Sequence, residues 1–326
     1  MDSIRDRWAA FRTSPYLPAT ILLFILSIAA GMFAGSYSYA MANPEPRHLP
    51  LAVTGQGDSA AFLHALDQRL KSSLDVRQYG TYAEAREAVE EQRAFAIVAL
   101  QGQGVTLDIA AASGASVARL LAQAAPAAGT AAGVPVQVRD IKPLQPTDPQ
   151  GLAIFYISLA AVIVGFVGAI QLNVHADLAP VPRIAFTAAY AMLGGFTICA
   201  VVDHLLGVLD LPFTESWAIS SLTMFTTGMV FTMFNALFGR WAMIPTWGLM
   251  VVIGNPSSGG AVSWPLLPSP LGLVGRWLPP GASVNAQHTA IYYHDHQQPQ
   301  PFLTLAAWAV TGTAVFLAWH HRHPTP

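Results

Sequence analysis

Of 326 residues, 53% are hydrophobic and only 10% are charged. Soluble domains carry about 25% charged residues, so most of this chain is not built to face water. The net charge of −2 supplies no basic field for nucleic acid, and the single cysteine, Cys199, excludes an internal disulfide. A mean hydropathy of +0.43 points to a polytopic α-helical membrane protein carrying one more polar insert.

Residues 1–16 read as a cytoplasmic amphipathic helix. Ser3 can cap it, and Ile4, Trp8 and Phe11 recur at helical spacing with Arg5, Arg7 and Arg12 between them. Residues 17–42 form the first membrane helix, long enough for a hydrocarbon core of about 30 Å. A cleavable signal is the competing reading, since a basic start, an apolar core and Ala40-Met41-Ala42 also fit one. The apolar run exceeds the about 7–15 residues usual for a signal, which favours retention.

Residues 43–150 change composition and alternate between strand and helix periods. Strands are expected at 49–53, 76–79, 95–100, 105–110 and 134–141, and helices at 59–74, 82–93 and 117–125. That alternation predicts an inserted extracytoplasmic α/β domain. Gly55-Gln56-Gly57 lacks the glycine and lysine that cradle phosphate. No nucleophile triad or zinc-protease signature appears either, so no enzymatic activity, metal or cofactor is expected.

The membrane domain occupies 151–326, with five helices at 151–172, 184–206, 216–238, a shorter one at 241–253, and 302–319. With the first span this makes about six crossings, one plus five. Arg5, Arg7, Arg12, Arg183, Arg240 and Arg322 fall on one side of such a threading. Arg276 is the basic residue of the short loops on the other side. Basic residues collect in the cytoplasm, so both termini are expected there, and the 43–150 domain outside. The expected location is the cell (plasma) membrane, with the lipid bilayer as partner.

The stretch 254–282, GNPSSGGAVSWPLLPSPLGLVGRWLPPGA, is apolar yet full of proline and glycine. A broken apolar segment beside membrane helices is buried in protein, lines a cavity or lies in the interface, so a re-entrant or interfacial element is expected. The run Asn255-Pro256-Ser257-Ser258-Gly259-Gly260, then Leu278-Pro279-Pro280-Gly281-Ala282 and a segment ending in Tyr292-Tyr293, resembles the signature of the YhgE/phage-infection-protein (Pip) group of bacterial membrane proteins. That group is related to permeases of the ABC type-two exporters. The resemblance covers the whole layout and departs where Gln287-His288 stand in place of an expected basic residue.

The resemblance implies a permease-like subunit that exports a hydrophobic or amphiphilic cargo, dimerises with itself or a homologue, and works with a separate cytoplasmic ATPase. Asn255, Pro256, Ser257, Ser258, Gly259 and Gly260, in the broken element, are candidates for the substrate path. The resemblance also makes Trp8 and Phe11, with His175 and Asp177 in the loop 173–183, candidates for coupling to the ATPase. Ionisable residues in spans are costly, which adds Asp203 and His204 to the path; Asn235, on a span rich in threonine, is a further candidate. Two other functions stay open: a non-transporting scaffold or receptor for phage attachment or secretion, and a proton-driven exporter using Asp203 and His204.

Overall fold

The computed structural model describes residues 8, 11–42, 44–55, 59–71, 73–101 and 104–323. Ser3, Ile4, Arg5 and Arg7 of the expected amphipathic helix lie outside the described residues. Helix α1, Tyr16–Met41, is apolar all round. It packs mainly on one segment, through Phe33 against Trp247 with ring centroids 6.4 Å apart.

The polar insert folds as β1 (Arg47–Thr54), α2 (Ala60–Leu70), β2 (Ser73–Gln78), α3 (Tyr82–Glu90), β3 (Ala96–Gln101), β4 (Gly104–Ile109), α4 (Ala115–Ala132) and β5 (Val136–Asp140). The five strands form one sheet in the order β2-β1-β3-β4-β5, parallel except for the β3–β4 pair. Because side chains alternate across a strand, Leu49, Leu51 and Val53 of β1 join Phe62, Leu66, Val117 and Leu121 on one face. Ala52 and Ile97 meet Ala85, Ala88 and Val89 of α3 on the other. Asp108 on β4 is fully buried. It accepts from Arg139 Nε at 2.8 Å, from Arg139 Nη2 at 2.9 Å and from the Tyr82 hydroxyl at 2.7 Å.

Two boundaries differ most from the periodic reading. Helix α2 stops at Leu70 because Lys71 takes a left-handed conformation, φ 49°, so Ser73 and Leu74 join β2 instead. Helix α4 continues through Pro126 to Ala132. Gly129 leaves room there for Val136 of β5, and Gly133, φ 70°, closes the helix by donating to Gly129 and Thr130 carbonyls.

The remaining helices are α5 (Ala153–His175), α6 (Pro180–Ala200, extended by a π-turn at Val201–Leu205), α7 (Phe213–Phe238), α8 (Met243–Gly254), α9 (Ser269–Val274), α10 (Pro279–Tyr292) and α11 (Gln300–Arg322). Five described helices, α1, α5, α6, α7 and α11, are long and apolar enough to cross a membrane. The chain is thus a multi-pass, membrane-associated helical protein. The sixth expected crossing, at 241–253, is not a helix of that kind. At a rise of 1.5 Å per residue, α8 spans only about 18 Å, and it winds as a π-helix over Gly248–Gly254.

Helix α7 sits at the centre, against α5, α6, α10 and α11. Its buried threonine hydroxyls are satisfied by protein: Thr223 donates to Ile219 O, Thr227 to Thr223 O and Thr232 to Gly228 O. Thr226 donates across to Leu305 O on α11 at 3.2 Å. Thr223 also meets Ser283 Oγ on α10 at 2.9 Å, so Thr223 and Thr226 tie α7 to its neighbours, while Thr227 and Thr232 bond back to their own helix.

Candidate functional site

The chain between α8 and α10 builds the site. Asn255 N–H donates to Met250 O, a π-type step, and Pro256 brings no donor of its own. Ser257 Oγ donates back to Ile253 O at 2.6 Å, closing the end of α8. Gly259, φ 83°, turns the chain, and a Cβ there would strike the Trp264 ring at 2.7 Å. The indole of Trp264 then donates to Ser257 O at 3.2 Å. From Trp264 the chain passes through α9 and returns to Gly275, which lies directly on the Ser257 backbone. Gly281, at the start of α10, lies on Gly275, and Pro280 packs on Gly254. The segment is therefore a half-helix, a turn and a hairpin folded onto one another.

This hairpin is clamped to the α/β domain. Leu266 enters the core of that domain beside its sheet and helices. Arg47 Nη1 donates to Leu267 O at 3.1 Å, and Ser263 N–H donates to Ser116 Oγ at 2.9 Å. At the far end of α10, the Tyr293 hydroxyl and Ser113 Oγ are 2.5 Å apart, while Lys142 pairs with Glu90 and lies over the Tyr293 ring.

A partly open cavity of about 520 Å³ lies between these parts. The α/β domain contributes Arg47, His48, Arg77, Arg93 and Phe95 to its wall. The hairpin contributes Ser258, Gly259, Gly260, Trp264, Leu273 and Arg276, and α10 contributes Val284, Asn285 and His288. Asp148 is the one lining carboxylate among the described residues. Both its oxygens are occupied, accepting from Leu152 N–H at 3.1 Å and Ala153 N–H at 3.0 Å, where they cap α5. Arg47, Arg77 and Arg93 pair with Glu45, Asp75 and Glu91. Arg276 has no such partner among the described residues; its guanidinium lies 4.7 Å from the Trp264 ring centroid. The wall is thus basic and apolar at once.

The expected path residues divide. Ser258, Gly259 and Gly260 line the cavity, whereas Asn255, Pro256 and Ser257 are not in its wall. Asn255 instead meets Tyr37 of α1, and its buried Nδ2 has no partner. Asp203 and His204 lie in the π-turn ending α6, with Nδ1 and Oδ2 3.6 Å apart and the imidazole stacked on Phe213 at 5.0 Å. Asp203 lines a second cavity of about 450 Å³ with Gln145 and Asp210, so the pair is not brought to the hairpin. Asn235 sits at the opposite end of α7, where Asn173 Oδ1 accepts from it at 3.1 Å and from Arg183 at 2.6 Å.

Trp8 and Phe11 stack on each other with centroids 5.7 Å apart. His175 Nδ1 is 3.1 Å from Gln171 O, and Asp177 acts electrostatically on Arg183. Gln287, one of the two residues departing from the expected basic position, is buried and donates to Ser216 O and Ser220 Oγ. Its neighbour His288 is the one that faces the cavity. Among the described residues, no group of three or more His, Cys, Asp or Glu side chains is placed to hold a metal.

Sequence reasoning did not single out the arginines of the cavity as a site. The available signal was Arg276 alone, a basic residue in an otherwise uncharged apolar stretch. No family model, curated protein or solved structure matches the chain.

Proposed function

We propose that the chain is a permease-like subunit of the kind found in type-two ABC exporters, as its resemblance to the YhgE/phage-infection-protein group suggests. It passes a hydrophobic or amphiphilic cargo, pairs with a second subunit and draws energy from a separate cytoplasmic ATPase. In this reading both termini are cytoplasmic and the α/β domain lies outside the cell membrane, because Arg12, Arg183, Arg240 and Arg322 then fall at helix ends on one side of the threading. The sixth passage is then interrupted: α8 enters from the cytoplasmic end, residues 255–267 complete the crossing, and the chain dips back before α10.

The observation that carries the reading is this hairpin under a roofed cavity. Irregular backbone at membrane depth is tolerated where it is buried in protein or lines a cavity, and broken helices recur at transport sites. The test is purification of the chain from its own cells, followed by reconstitution with whatever co-purifies. An ATPase in the eluate and ATP-dependent movement of an amphiphile across proteoliposomes support the proposal. Reproducible absence of both sinks it.

One feature favours a receptor or scaffold role as a second reading. Strand β2 ends the sheet, so its outer edge is open to pairing with a strand from another protein. Partner binding to the α/β domain without cargo flux would select this reading.

A further inference from the structure

The cavity wall has two chemistries in one place. Four arginines, Arg47, Arg77, Arg93 and Arg276, line it against a single carboxylate already committed to capping α5. Three of them share their charge with neighbouring acids, so Arg276 is the cation left for a ligand. Trp264, Leu267, Leu273 and Val284 supply apolar wall beside it. Leu273 is 71% exposed and the nearby Trp277 63% exposed. The apolar wall therefore runs out onto the surface that the membrane reading places against lipid, which gives a hydrocarbon chain a side entrance.

We propose that this cavity binds an amphiphile with an anionic head, its phosphate or carboxylate on Arg276 and its hydrocarbon tail along Trp264 and Leu273. A guanidinium offers planar paired donors that suit both head groups. Stacking on Trp264 holds that guanidinium at the wall before the ligand arrives. The tail accounts for an apolar opening that a site for a free anion does not need. Naming this ligand as cargo rests on the permease reading; the binding itself does not.

The test uses the full chain in dodecyl maltoside, with tryptophan emission followed during titration by dodecyl phosphate. Dodecyltrimethylammonium and inorganic phosphate form separate arms. Saturable binding of dodecyl phosphate is expected, weakening as salt is raised, with neither other probe binding comparably. Arg276→Gln is expected to weaken binding about tenfold, the loss of one charge-assisted contact. Should that variant fold poorly, His48→Asp places a carboxylate in the wall at an exposed position whose positive φ of 50° aspartate tolerates, and it too is expected to weaken binding. Equal binding of the cationic probe overturns the proposal, as does wild-type affinity in both variants. Inorganic phosphate binding as well as dodecyl phosphate also overturns it, showing a free-anion site. Because no ATPase is present, intact binding without flux counts against the permease reading alone.

Discussion

The contact between Gly275 and Ser257 holds the hairpin to the end of α8, and Gly275→Ala probes it. A Cβ at position 275 falls 1.8 Å from Ser257 O and 2.7 Å from Ser257 C. Both are backbone atoms and cannot rotate aside. Restoring an ordinary contact of about 3.4 Å requires the two segments to part by about 1.6 Å. That movement strains the Trp264 indole bond to Ser257 O, now 3.2 Å, and the seat of Gly281 on Gly275. Overpacking costs about 1–3 kcal/mol and a lost hydrogen bond about 0.5–1.5 kcal/mol, so about 2–4 kcal/mol is expected in total. At about 2–4 °C per kcal/mol, the full chain in neutral detergent should melt about 5–15 °C lower. Gly31→Ala is the control, because a Cβ there meets nothing within 4 Å; it should melt at or slightly above the wild-type temperature. If Gly275→Ala melts with the wild type, the hairpin does not pack as described.

Leu266→Ala removes the side chain that enters the α/β core, where Leu266 is 1% exposed. A cost of about 2–5 kcal/mol is expected in thermal melts, with faster proteolysis of the hairpin. Tyr82 titrates above its usual value of 10.0, because burial and then the hydrogen bond to Asp108 both disfavour the phenolate. The folded state therefore holds this proton more tightly than the unfolded chain. That stabilisation is complete below pH 10 and is lost as pH rises through the folded value. The stability gap between wild type and Tyr82→Phe should narrow above pH 10, and a constant gap there would contradict the assignment. Asp203→Asn is expected to leave cargo flux in proteoliposomes unchanged, since Asp203 lies outside the main cavity; abolished flux would instead favour proton coupling.

The strands of the insert were legible as short runs, some apolar almost throughout like β3, others with the two-residue period, as in β1, where Leu49, Leu51 and Val53 face one core while Ala52 faces the other. Helix ends were harder. Apolar spacing runs on past Leu70, and only the left-handed backbone of Lys71 stops the helix. Hydropathy marked every long membrane helix, yet it also marked 241–253, because composition does not report where a helix stops short. The cavity was the least legible feature. Arg47, Arg77 and Arg93 come from the α/β domain and Arg276 from the hairpin, so no local spacing joins them. Ser258 and Ser257 are adjacent and chemically alike, but the turn at 255–260 sends only Ser258 to the cavity wall.

The placement of the α/β domain and its cavity across the membrane from Arg240 is the central claim. In a Cys199→Ser background, Arg77→Cys and Arg240→Cys each carry one thiol, and intact cells are treated with a membrane-impermeant maleimide. Labelling is expected at position 77 in intact cells and at position 240 only after the membrane is opened. Labelling at 240 with protection at 77 would contradict it.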